Sequence, residues 1–173
     1  LAMLMVLSLF AGCAAAGGEK AEAQYTVTGK FKDTKVATVT GGKLTVAISP
    51  DYAPMEFVDP TKSGQDMFVG FDPTLAKYIA DYLGLTLEVI PVDSNGIIGE
   101  MGAGSADLAL AGLSPDPDRL EKMDFSDIYY GGKQAFITVS SKASMFTDLA
   151  STNSAEFSVA AQTGTIQEEL AAQ

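Results

Sequence analysis

The run Ala106-Asp107-Leu108-Ala109-Leu110-Ala111-Gly112-Leu113-Ser114-Pro115-Asp116-Pro117-Asp118-Arg119 gathers the residue types in this chain best suited to holding an anion. Residues 106–111 are short, small and apolar, which predicts a strand buried on both faces. The chain then passes Gly112 and Ser114 and meets a helix start. Asp116 fits the N-cap, Pro117 the first helical position and Arg119 the third. A strand feeding a helix start brings backbone N–H groups and a guanidinium to one point, a combination that suits a carboxylate or a phosphate. Arg119 is the only arginine, the other ten basic residues being lysines. Its rigid fork of donors is chemically unlike a lysine's point charge. The plainer alternative is a surface ion pair with Asp116 or Asp118, of slight energetic weight.

A second turn of the same kind follows later. Residues 157–162 read as a strand, Thr163-Gly164-Thr165 as a turn, and 166–172 as a helix, again offering backbone N–H groups and a hydroxyl. Tyr52 sits in the two-proline loop Pro50-Asp51-Tyr52-Ala53-Pro54, which makes it a candidate stacking platform as well as an ordinary loop aromatic.

Other chemistry is excluded. Histidine is absent and cysteine occurs once, which removes His-based triads, disulfide frameworks and multi-cysteine metal sites. Gly99-Glu100-Met101-Gly102 and Gly102-Ala103-Gly104 fall within or after a helix, so they are no dinucleotide fingerprint. No phosphate-loop pattern occurs. Asp116 and Asp118 are better explained by capping and solvation than as paired acids. A net charge of −11 argues against nucleic acid as a partner. We therefore expect no metal, no cofactor and no catalytic residue.

The elements that must position these residues follow from periodicity. Residues 43–49 alternate, with Leu44, Val46 and Ile48 on one face. Glu56-Phe57-Val58 and Met67-Phe68-Val69 predict a small hairpin or irregular turn. Asp72 as N-cap and Pro73 at N1 start a helix with the stripe Leu75, Tyr78, Ile79, Tyr82 and Leu83, stopped by Gly84. Residues 85–92 give a second strand. Ser94-Asn95 cap a helix carrying Ile97, Ile98 and Met101. The 106–111 strand leads to a short helix over 117–123, and 134–140 read as a further strand. The order β-α-β-α-β-α-β implies an α/β sheet with ligands off the strands' carboxyl ends, here 49–52, 92–95 and 111–114.

The N-terminus adds an address. Residues 1–11 are almost wholly apolar, too short to span a bilayer and typical of a signal-peptide core. Leu9-Phe10-Ala11-Gly12-Cys13 resembles the bacterial lipobox, departing from it at Phe10. We expect a partial lipoprotein signal over 1–12, lipidation at Cys13, a tether over 13–42 with an extended arm near Tyr25-Thr26-Val27, and attachment to the membrane without spanning it.

Five blocks resemble one family. They are Ile48-Ser49-Pro50-Asp51-Tyr52-Ala53-Pro54-Met55-Glu56-Phe57, Val69-Gly70-Phe71-Asp72-Pro73-Thr74-Leu75-Ala76, and Gly104-to-Ser114 with Arg119. Asp124-Phe125-Ser126 with Tyr129 and Gln162-Thr163-Gly164-Thr165 with Gln167 complete the set. In this order and spacing, over about 43–173, they resemble the solute-binding proteins of polar amino-acid ABC transporters (bacterial extracellular solute-binding protein family 3). The resemblance implies an α/β, periplasmic-binding-protein-like two-lobed fold of type II. Lobe 1 would cover 43–138; the second lobe, begun over 139–173, would be truncated. It implies a non-enzymatic, monomeric, extracytoplasmic receptor, lipid-anchored to the cell membrane, that delivers an amino acid to a permease. Tyr52 would pack on the ligand side chain. Arg119 would clamp the α-carboxylate with Ser114 and the Gly112 backbone, and Thr165 would close on it from the second lobe. Ser49, Met55, Glu56, Ala111, Gln162, Ile166 and Gln167 are further candidates for the pocket. Met55 stands where Phe is usual, Ile166 where a second hydroxyl often lies, and Pro115-Asp116-Pro117-Asp118 replaces an Ile-Thr-Pro-Glu type of run. The same fold hosts cyclohexadienyl and arogenate dehydratases, for which Glu56 would be the candidate acid, and ligand-sensing modules of larger membrane receptors.

Overall fold

The computed structural model describes residues 36–173. Cys13, the apolar run before it and the arm expected near Tyr25 lie outside the described residues. Strand β1 (Lys43–Ile48) is the centre of the main sheet, flanked in parallel by β5 (Thr86–Pro91) and β6 (Leu108–Ala109). The chain leaves β1 to one side and later returns to the other. Such an order puts a crevice at the carboxyl end of the central strand.

Burial explains why β1 holds the centre. Leu44, Val46 and Ile48 form a core cluster with Ala76 and Ala80 of helix α1 (Phe71–Leu83), joined by Leu75 and Ile79. Helix α2 (Ser94–Ala103) packs on β1 and β6, with its Ile97 fully buried. Because helices cover the sheet, Thr45 and Ala47 are buried too, at 4% and 0% exposure. The alternation seen in the sequence therefore marks which face meets α1, not which face meets water. The free edge of β5 is closed by Gln65, whose amide accepts from Val89 N at 2.7 Å and donates to Val89 O at 3.3 Å.

The expected hairpin is present as a second, antiparallel sheet of β2 (Asp51–Tyr52), β3 (Glu56–Val58) and β4 (Phe68–Val69). Helix α1 stops at Gly84 as expected, and Gly84 and Gly104, the C-caps of α1 and α2, are left-handed at φ 71° and 65°. The start of α1 differs from expectation. Its first amides are taken by the hairpin: Phe71 N–H donates to Pro54 O at 3.1 Å and Asp72 N–H to Met55 O at 2.9 Å. Asp72 is thus released from capping, and its side chain turns inward to 0% exposure.

Gly70 makes this junction at φ 124°, where a Cβ would stand 2.3 Å from Met55 O. Gly70→Ala combines that clash with a forbidden backbone region, so a loss of about 2–4 kcal/mol is expected. Urea unfolding of the variant checks it, and a change below about 0.5 kcal/mol would contradict the packing described.

Further sequence expectations are corrected: the strand expected over 106–111 is only Leu108–Ala109 and half-buried, and α2 is capped at Asp93, with Ser94 already in the helix. The helix α3 (Pro117–Leu120) is one turn long and does not reach 123. Residues 134–140 and 157–162 form no strands. A strand exists only through a hydrogen-bonded neighbour, and among the described residues neither segment pairs with another; Ile137 is 96% exposed and Val159 47%. The helix α4 (Ile166–Ala171) forms as expected. Among the described residues no helix is long and apolar enough to cross a membrane.

Candidate functional site

The carboxyl ends of the three parallel strands converge. After β1, Ser49 Oγ lies 3.0 Å from Ser94 Oγ at the start of α2 and 3.0 Å from Asp51 Oδ1. After β6, Gly112 adopts φ 58°, and a Cβ there would approach the Tyr52 ring to 3.1 Å. The tyrosine ring therefore lies against the Gly112 backbone, and a glycine is what lets the two strand ends close on each other.

Arg119 is placed by local chemistry. Asp116 is the N-cap of α3, its Oδ1 accepting from Arg119 N–H at 2.9 Å, with Pro117 in the first turn. Asp116 Oδ2 also pairs with Arg119 Nε at 2.8 Å. The ion pair and the clamp are therefore not alternatives. Asp116 fixes the Nε edge of the guanidinium, and at 8% exposure the arginine is no surface residue. Its Nη1 donates to Ser114 O at 2.9 Å and its Nη2 to Gly164 O at 3.3 Å. Three of the five N–H groups are used, which leaves one on each terminal nitrogen. A guanidinium that can offer two N–H groups to one carboxylate binds it more firmly than a single donor does.

The 163–165 turn faces this arginine. Asn95 of α2 packs against it so closely that a Cβ on Gly164 would meet Asn95 Oδ1 at 2.5 Å. The turn's polar groups are less free than its sequence suggests. Thr165 caps α4, donating from Oγ1 to Gln162 O at 2.6 Å while accepting from Glu168 N–H at 3.4 Å. Gly164 N–H is held by Glu168 at 2.7 Å. The Thr165-Ile166-Gln167-Glu168 spacing of a capping box was the available signal. Beside the turn, a cavity of about 460 Å³ is lined by Ser94, Asn95, Arg119, Lys122, Thr165 and Glu168 among others. Tyr52, Gly112 and Ser114 do not border it.

The remaining candidates separate. Gln162 reaches Asp51, its amide donating to Oδ2 at 2.8 Å, so it joins the strand ends. Gln167 instead bonds Gln134 at 2.8 Å. Ala111 and Ile166 are half-buried and Met55 is buried. Glu56 is 1% exposed and interacts with Asp72. Burial first, and Asp72 second, push its carboxyl from 4.5 up to about 9.

Sequence reasoning missed two contributors. Asp72 accepts from the Tyr129 hydroxyl at 3.2 Å, and the Tyr129 ring stacks on Phe71 with centroids 6.1 Å apart. Asp107 accepts from Thr45 N–H at 2.8 Å and Val39 N–H at 2.7 Å, tying the start of β6 to β1. The Asp72–Tyr129 contact spans 57 positions and the Asp107–Thr45 contact 62, with no spacing pattern to announce either. Among the described residues no cluster of His, Cys, Asp and Glu is arranged to hold a metal ion.

A parallel sheet with β1 at its switch point and a buried arginine off the strand ends mark an α/β fold of the kind whose ligands sit in the crevice at the strands' carboxyl ends. The chain belongs to the bacterial extracellular solute-binding proteins, family 3, whose pattern it matches over residues 44–170. Its fold is the periplasmic-binding-protein fold of type II. It is 39% identical over 127 residues to the arginine-binding extracellular protein ArtP of Bacillus subtilis, covering 73% of this chain and 46% of that protein. An amino-acid ABC transporter substrate-binding protein from Streptococcus pneumoniae, solved bound to L-arginine, superposes with TM-score 0.67 at 40% identity, over 75% of this chain and 52% of that one. The ancestral amino-acid-binding protein AncCDT-1, described as a precursor of cyclohexadienyl dehydratase, superposes with TM-score 0.71 at 33% identity, over 76% and 56%. The chain thus spans about half the length of the curated relatives it matches.

Proposed function

We propose that this chain is the ligand-capturing part of an extracytoplasmic solute-binding protein that takes up an amino acid by its α-carboxylate and delivers it to an ABC permease. One observation carries the reading. Arg119 is buried beside the strand ends, fixed on its Nε side by Asp116, and keeps one N–H on each terminal nitrogen. Tyr52 over Gly112 would carry the ligand side chain, with Ser114 completing the carboxylate site. Ser49, Ala111, Met55, Gln162 and Ile166 would form the surroundings. Thr165 and Gly164 would approach from the second lobe, and a ligand touching both sides favours closure by its differential affinity for the closed state. L-arginine is the first ligand to test, since the relatives reported above include proteins named for arginine. The apolar run before Cys13 supports a lipid anchor there.

A dehydratase of the same fold needs an acid in contact with substrate. Glu56 keeps a proton at neutral pH but is 1% exposed and faces Asp72, which favours binding over catalysis. The test is a thermal-shift screen of the twenty amino acids on the full-length protein. L-arginine is expected to raise the midpoint by several degrees at saturating concentration. A flat response to all twenty, or turnover of prephenate or arogenate, would overturn the reading.

A further inference from the structure

The two acids are buried and reach the Gly112 turn of the proposed site through Asp72. Glu56 on β3 and Asp72 in the first turn of α1 are 1% and 0% exposed and within hydrogen-bonding reach of each other. Glu56 Oε2 and Asp72 Oδ2 are both buried without a partner. Two ionised carboxylates can only accept, so both oxygens stay unsatisfied until one carboxyl carries a proton and donates it to the other.

The surroundings decide which acid carries it. Burial raises both carboxyls, but Asp72 is pulled back by the carboxyl of Glu56, the Tyr129 hydroxyl and the Gly112 N–H. Glu56 is raised further by Asp72 and by Asp51 of β2. The groups facing the pair are therefore Asp51 from β2, Tyr129 from the segment after α3 and the Gly112 amide after β6. None of them is a cation.

We propose that Glu56 and Asp72 share one proton, and that the resulting anionic pair acts as a positioning device for the proposed ligand site. Asp72 holds the Tyr129 hydroxyl at 3.2 Å and faces the Gly112 amide, and the Tyr52 ring lies against the same glycine. Loss of the proton leaves two adjacent buried anions. One carboxyl must then swing out, which releases the Gly112 turn, and with it the Ser114 carbonyl to which Arg119 donates. The functional consequence rests on the amino-acid reading above; the shared proton does not.

The test uses the full-length protein and its Glu56→Gln variant, whose amide still donates to Asp72 but cannot titrate. In ligand-free protein, carboxyl carbon and Gly112 amide nitrogen signals are followed by NMR against pH. One proton between the two carboxyls is expected at neutral pH, with the Gly112 signal of the parent moving in the alkaline range and that of the variant flat. Affinity for L-arginine should then fall at least about fivefold more in the parent than in the variant between about pH 7 and about pH 10; comparing the two proteins cancels the ligand's own titration. Two ionised carboxyls at neutral pH, or identical Gly112 curves, overturn the shared proton. A moving Gly112 signal with parallel affinity curves overturns the positioning role. Should neither protein bind any amino acid, the binding reading fails, and the Gly112 signal still decides the pair.

Discussion

Replacing Arg119 by lysine in the full-length protein is expected to weaken amino-acid binding at least about tenfold, or about 1.4 kcal/mol. The guanidinium spends one N–H on Asp116, one on the Ser114 carbonyl and one on the Gly164 carbonyl. A lysine ammonium has three donors converging on one atom, so satisfying Asp116 and Ser114 leaves at most one for a carboxylate, and the second donor is lost. Arg119→Ala goes further, stranding a half-buried Asp116 without its cation at a cost of about 2–4 kcal/mol in stability. Isothermal titration calorimetry with L-arginine reads the first effect and chemical denaturation the second. Asp116→Asn separates structure from ligand contact: it keeps the fork and the cap, so its affinity should fall less than that of Arg119→Lys. An Arg119→Lys protein with parental affinity would remove the arginine from the proposed clamp.

What the sequence discloses here is what neighbours in the chain can settle among themselves. The Asp116-Pro117 start of α3, the left-handed stops at Gly84 and Gly104, and the β1 alternation are each decided within a few residues. Asp72 shows where this ends. Asp-Pro is a sound helix-start signal, yet the carbonyls of Pro54 and Met55 reach the first amides of α1 from the hairpin. The carboxyl was then free to turn towards Glu56, which no local pattern encodes. Arg119 is a different case: its surface-pair and clamp readings look exclusive in the sequence, which gives neither burial nor the number of donors in use. The segments 134–140 and 157–162 carry good strand composition, but a strand is a property of two segments, and among the described residues no partner pairs with either. Exposed Ile137 and Val139 are the visible cost of that missing neighbour.

Glu56→Gln is expected to abolish a pH dependence of folding stability that the parent protein shows across the neutral range. The Glu56 carboxyl is raised from 4.5 to about 9, so between those values the native state holds a proton that the unfolded chain has released. Stability from this group is fully present below about pH 4.5 and is lost as the pH climbs through about 9. Each proton held only by the native state gives a slope of about −1.4 kcal/mol per pH unit, so a rise of two units within the window removes about 2–3 kcal/mol. Asp72 is raised as well, by burial, and contributes with the same sign. Surface acids act oppositely where they are lowered, as Asp59 is by the Thr61 hydroxyl and amide, but that group is exposed and titrates well below the neutral range. Urea denaturation at a series of pH values from about 5 to about 8 reads the slope directly. The glutamine variant, neutral at every pH and still able to donate to Asp72, should be the more stable protein at the upper end and give a nearly flat profile. Parallel profiles for the two would mean that Glu56 is ionised in the native state and that some other group supplies the proton its buried oxygen requires.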